Sequence, residues 1–312
     1  VKSEFLANAE VNELSDWMAA RLASMPVRLS IPTSPYVPGG VSAETNFAAL
    51  VPDHFRWRLT GMAVGDWWET LQCLQKLATP LRAAVDSNDA VATLAACESI
   101  AQWGADRNSR VGANAYLASL GDRLPEYLRR TGAAMRLACP DESGIFRVVP
   151  KMNSTLGKIH SLLALDGLPI YESRIAAAIA ALVEIWRRET GRAGEPLPAF
   201  LRFPAVGGQL QRRLRRLYPD AVDPGLLSYS QGSEIATAGR WASATVRLGL
   251  LIGLVIRRCD PDLFVAWPDD PASRSRGLRM ATFTAALFMA GYDPTCLLPA
   301  EFAADAPVRA DA

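Results

Sequence analysis

Apolar residues recur along most of this chain at spacings of three and four, the signature of helices that bury one face. Leu14, Trp17, Met18 and Leu22 form such a face between Val11 and Ala23, with Glu13 and Asp16 on the opposite side. Asp66 is placed to cap a helix running to Lys76, with Trp67, Leu71 and Leu74 on its inner face. Asn88-Asp89 opens the next helix, which carries Leu94, Cys97 and Ile100 to Trp103 and stops at Gly104. Further helices are expected over Ala113 to Leu120, Leu124 to Leu137, Ser154 to Leu165, Ser173 to Thr190, Gln209 to Leu217, Ser233 to Arg258 and Arg279 to Ala290.

The breaks fall where proline and glycine cluster. Pro26, Pro32, Pro35, Pro38 and Gly39-Gly40 rule out a continuous helix over 26–56, which is expected to be irregular. A polar loop follows Gly104, a second loop covers Ala138 to Pro150 with a short strand at Ile145 to Val149, and a Gly/Pro-rich connector spans Gly191 to Gly208. Period-two alternation is scarce, so the expected fold class is mostly α, with two packed helical lobes and a cleft between them. The expected division is an N-terminal helix and irregular segment over 1–60, a two-lobed helical region over 61–300, and a tail at 301–312, rich in Ala, Asp and Pro, that frays.

Composition narrows the function classes. At 312 residues, half hydrophobic and 21% charged, the chain can bury a large core. Its formal net charge of +1 provides no global basic field for nucleic acid or an acidic membrane. Cys73, Cys97, Cys139, Cys259 and Cys296 are far apart and odd in number, and His54 and His160 are the only histidines, so no metal constellation is expected. Buried, reduced cysteines and the lack of a signal-peptide pattern lead to a cytoplasmic expectation. The apolar run Leu248 to Ile256, broken by Gly249 and Gly253, is expected to be a core helix rather than a membrane span. No P-loop, GxSxG, HExxH or dinucleotide fingerprint occurs, and no cofactor is expected.

Only four of the basic residues are lysines, against 29 arginines. One of the four stands in Gly157-Lys158-Ile159-His160, near the start of a helix. A Gly-Leu-Pro turn separates it from Ile170-Tyr171-Glu172-Ser173-Arg174, where a second helix starts. This pairing can bring an amine and a carboxylate to one cleft. An amine can displace a base from a sugar C1′, and a carboxylate can stabilise the positive charge that develops there. The alternative role for the same pair is structural, an ion pair with Glu172 or Ser173 capping the helix that follows. His160 is expected to be a partly buried histidine with its hydrogen bonds satisfied.

The passage from Gly157-Lys158 to Pro169-Ile170-Tyr171-Glu172-Ser173-Arg174-Ile175-Ala176 resembles the "SK, apolar helix, PIYDSRVA" pattern of bacterial proteins with an 8-oxoguanine DNA glycosylase fold, distant members of the helix-hairpin-helix glycosylase superfamily. Ile100 to Arg107, with Trp103-Gly104, resembles a second element of that family. Arg240-Trp241-Ala242 with Arg247-Leu248-Gly249 is similar to its C-terminal tryptophan helix. The resemblance covers about half of the chain. It implies an all-α, two-lobed fold with DNA across the cleft, Lys158 as nucleophile and Glu172 as electrostatic stabiliser. Glu172 stands where the pattern has aspartate, and Asn153-Ser154-Thr155-Leu156-Gly157 has a single glycine where the family has a glycine-rich hairpin.

Around that pair, Arg212, Arg213, Arg215 and Arg216, together with Arg174, are the candidate contacts to a nucleic-acid backbone, and Tyr171 is the candidate to stack on an extruded base. The leading expectation is a DNA-binding repair protein, an N-glycosylase or lyase when active. The alternative is a noncatalytic adaptor that binds nucleic acid or a protein partner, as in bacterial multi-gene defence systems.

Overall fold

The computed structural model describes residues 2–59, 62–104, 112–138, 144–206, 218, 220–227, 235–267 and 271–298. Two helices, α1 (Lys2–Ala7) and α2 (Ala9–Arg21), precede an antiparallel hairpin of β1 (Pro26–Ile31) and β2 (Val41–Asn46) and a short helix, α3 (Leu50–His54). The helices α4 (Trp67–Asp86), α5 (Ala90–Trp103), α6 (Ala113–Ser119), α7 (Leu124–Met135), α8 (Ile145–Val148), α9 (Ser154–Leu163) and α10 (Ser173–Glu189) follow. A two-residue parallel pair, β3 (Ala205–Val206) and β4 (Leu226–Leu227), lies before the last long helices, α11 (Ile235–Arg258) and α12 (Arg276–Ala290). The fold is mostly helical, as the periodicity predicts.

Three local expectations are corrected. Residues 26–46 are not irregular: Pro26 to Ile31 pair with Val41 to Asn46 in register, and Val27, Leu29 and Ile31 all point into the core. Gly39 and Gly40, both at positive φ, turn the chain between the strands, so these residues make a hairpin. Ile145 to Val149 is not a strand. Val148 and Val149 donate to the carbonyls of Gly144 and Ile145, closing one helical turn. Finally, α4 does not end near Lys76 but continues through Pro80 to Asp86. Proline removes one helical hydrogen bond, yet Ala78, Leu81, Ala84 and Val85 extend the buried face, and that burial outweighs the loss.

The helix α11 is the core of the molecule. It is long and apolar enough to cross a membrane, but 89% of that apolar window is buried against other elements, including α2, α8 and α12. Gly249 allows one close approach: a β-carbon there would lie 2.7 Å from Leu137 and 2.8 Å from the Pro169 ring. One helical turn pair earlier, the Trp241 indole donates to the carbonyl of Tyr171 at 3.1 Å. These contacts fix residues 169–171, and hence the start of α10, on the core helix.

The hairpin of α4 and α5 packs beside α9. Asn88, at positive φ, makes the turn, and the Asp89 side chain caps α5 by accepting from the Ala92 amide at 2.9 Å. Antiparallel pairing returns the C-terminal end of α5 toward the first half of α4. Trp103 and Gly104 thereby arrive beside α9.

Candidate functional site

The site is assembled on the α9–turn–α10 unit. Asn153 caps α9, its side-chain oxygen accepting from the Leu156 amide at 2.9 Å. Lys158 lies one turn inside the helix and extends toward Gly104, the C-cap residue of α5. A β-carbon on Gly104 would stand 3.1 Å from Cδ, 3.2 Å from Cε and 3.3 Å from Nζ of Lys158. The glycine is what lets the lysine lie flat across the end of α5.

The turn after α9 folds back on it. Ser161 donates to the Pro169 carbonyl at 2.7 Å, and Gly167, at φ +84°, leaves room for the Met280 sulfur. Glu172 then takes the N-cap position of α10. One carboxylate oxygen accepts from the Arg174 and Ile175 amides at 2.9 and 3.2 Å. The other accepts from the Ser173 hydroxyl at 3.3 Å and pairs with the Arg174 guanidinium at 3.5 Å. The structural role weighed for this residue is therefore present: Glu172 is a cap, and its ionic partner is Arg174.

Arg174 is in turn held by aromatic rings. Its guanidinium carbon lies 4.4 Å from the ring centre of Tyr292, 5.1 Å from Phe288 and 5.4 Å from Trp57, and Trp57 stacks on Tyr36 at 4.6 Å. Cation–π contacts of this kind restrain a guanidinium as well as stabilise it. The N-terminal unit, expected to be irregular over 26–56, thus supplies one wall of the site through Phe55 and Trp57. Gly291, immediately after α12, touches the Arg174 backbone so closely that a β-carbon would overlap its carbonyl.

Lys158 and Glu172 both line one cavity of about 770 Å³. Its walls are α4, α9, α12, the turn between α9 and α10, and the aromatic residues Phe55, Trp57, Trp67 and Phe288. Among the described residues, Arg82 and Arg174 are the other cations in the lining and Glu172 is its carboxylate. An amine, a fixed carboxylate and aromatic walls in one water-accessible space can receive a planar group and act on an atom attached to it.

The other sequence candidates are distributed differently. Tyr171, expected to stack on a base, is wholly buried; its hydroxyl donates to the Pro204 carbonyl at 2.7 Å, so its ring belongs to the core. Arg174, expected at a phosphate, is partly buried in the aromatic cage and paired with Glu172, which makes it a positioning residue for the carboxylate. Arg212, Arg213, Arg215 and Arg216 lie outside the described residues, as does most of the polar loop after Gly104. His160 is not a partly buried, satisfied histidine. It is 1% exposed, neither ring nitrogen has a hydrogen-bond partner, and burial depresses its pKa to about 4. Cys97, Cys259 and Cys296 are buried free thiols, and Cys73 is half-buried.

Sequence reasoning missed Arg82, Thr70 and Trp57. A signal for the first two was present: Thr70, Gln75, Thr79 and Arg82 interrupt the otherwise apolar stripe of α4 on the side that faces the cavity. No family model, no curated protein and no solved structure matches the chain.

Proposed function

We propose that this protein binds DNA and receives an extruded nucleotide in the cavity beside Lys158, as an N-glycosylase or lyase of the 8-oxoguanine glycosylase type with two helical lobes flanking the cleft. The observation that carries the proposal is that Lys158 and Glu172, separated by the second half of α9 and the turn after it, line the same cavity. In the proposed step the neutral Lys158 amine attacks C1′ and the bond from C1′ to the base breaks, the base leaving with the electron pair and a proton. The Glu172 carboxylate, held by the α10 amides and Arg174, places negative charge on the wall where positive charge builds on the sugar.

Borohydride reduction in the presence of damaged or abasic DNA tests this. A covalent adduct is expected with wild type and absent from Lys158→Ala and Lys158→Arg, since arginine keeps its proton. A noncatalytic adaptor is the second reading. It is favoured by the engagement of the Glu172 carboxylate, whose oxygens serve two amides, a hydroxyl and a guanidinium. Retained DNA binding with no adduct across a panel of lesions selects it.

A further inference from the structure

The cavity is an elongated groove, and its polar atoms are spaced along it. On α4 the lining runs from Trp67 to Arg82, a rise of about 22 Å at 1.5 Å per residue. Three side-chain atoms in this lining are buried and lack any hydrogen-bond partner: Thr70 Oγ1, Trp103 Nε1 and Arg82 Nε. The last two can only donate, and the threonine hydroxyl can donate as well.

Arg82 is the strongest of these positions. One of its terminal nitrogens donates to the Ala164 carbonyl at 2.8 Å, which fixes the guanidinium at the C-terminal end of α9. Among the described residues no carboxylate lies within ion-pair distance of it. Its pKa is lowered by burial alone, with no acidic neighbour opposing the shift. Among the described residues the carboxylate of the cavity, Glu172, is engaged elsewhere. From Lys158 to Ala164 the axis of α9 rises about 9 Å, so this cation stands well apart from the amine. Between the two the lining mixes Leu74, Ala78 and Leu162 with Gln75, Thr79 and Ser161.

We infer that Arg82 is a subsite for a backbone phosphate of a nucleic-acid strand lying along the groove, next to the nucleotide received at Lys158. This rests on the nucleic-acid reading above. A strand offers anionic acceptors at each nucleotide and planar bases for the aromatic and apolar side chains of the lining, and a guanidinium fork suits phosphate oxygens. Arg82 is then a contact that sets strand position, separate from the chemistry at Lys158.

Fluorescence anisotropy of a short single-stranded oligonucleotide with the full chain tests the assignment. Arg82→Gln is expected to weaken binding by about tenfold. It should also flatten the slope of log affinity against log salt by about 0.7 between about 50 and 200 mM. Arg82→Lys should keep most of that slope, and thermal melts of both variants show whether the fold is intact. Neutral methylphosphonate linkages, introduced one at a time, should reveal one linkage whose replacement weakens wild type and leaves Arg82→Gln unchanged. An unaltered salt slope in Arg82→Gln, with no linkage distinguishing the two proteins, overturns the subsite even if borohydride still traps an adduct at Lys158. Absence of oligonucleotide binding in wild type overturns the nucleic-acid reading as well. Arg82-dependent binding of palmitate without oligonucleotide binding assigns the groove to a long-chain carboxylate instead.

Discussion

The side chain of Lys158 lies against Gly104, so close that a single β-carbon would come within 3.1–3.3 Å of its last three atoms. Two stretches more than 50 residues apart in sequence meet there, and the meeting decides where the amine stands. Gly104 has φ −71°, a conformation alanine adopts without strain.

Gly104→Ala is therefore a probe of lysine placement with little effect on the fold. The added methyl must displace the flexible end of Lys158, and alanine restricts the unfolded chain. The expected result is a melting temperature equal to or slightly above wild type, together with a reduced rate of adduct formation at Lys158. A variant that traps adduct at the wild-type rate shows that the amine does not depend on this contact.

Glu172→Ala is expected to lower stability by about 1 kcal/mol, from loss of the cap on α10. Glu172→Asp keeps a carboxylate acceptor at the cap and should be closer to wild type in urea denaturation. In the proposed reaction aspartate at 172 is expected to raise the rate of base release, because the shorter side chain is the one in the resembling pattern. Equal denaturation midpoints for wild type and Glu172→Ala would remove the capping role.

Burial of His160 makes stability depend on pH. Its pKa is about 4 in the folded protein, below the value near 6.5 of an unfolded chain. The unfolded state therefore binds the proton first, so stability is full above about pH 6.5 and declines as pH falls toward 4, by roughly 3 kcal/mol. His160→Leu should flatten this part of the profile and raise stability at neutral pH, since it removes two buried nitrogens without partners. Chemical denaturation of both proteins at several pH values measures the difference, and identical profiles would assign the acid sensitivity to other groups.

Gly291→Ala is expected to be severely destabilising, by roughly 3 kcal/mol or more, because its β-carbon meets backbone rather than a movable side chain. It would force the end of α12 away from Arg174 and loosen the aromatic cage that supports Glu172. Tryptophan fluorescence reporting on Trp57 should change along with the melting temperature. A variant as stable as wild type would show that α12 can shift at no cost.

Much of the fold was legible in the sequence because helices are specified locally. Asp66, Asp89 and Asn153 cap the helices they precede, Gly104 ends α5, and apolar spacing marks α9 to α12. The Lys158 and Glu172 pair was legible for the same reason, since one turn joins their helices. The hairpin at 26–46 was obscured by prolines that lie in its loop and at its edge, although Val27, Leu29 and Ile31 alternate as a strand should.

What the sequence by itself determined is the helical class, most helix ends and the joining of one amine and one carboxylate by a short turn, all set by interactions within a few residues. Tertiary structure alone decided that Tyr171 faces the core, that Arg174 is caged by Trp57, Phe288 and Tyr292, and that Arg82 reaches the end of the Lys158 groove. Each of those outcomes depends on packing between segments far apart in the chain. Whether a tyrosine or arginine is buried, caged or open depends on which distant surfaces close over it, and local periodicity carries no record of them.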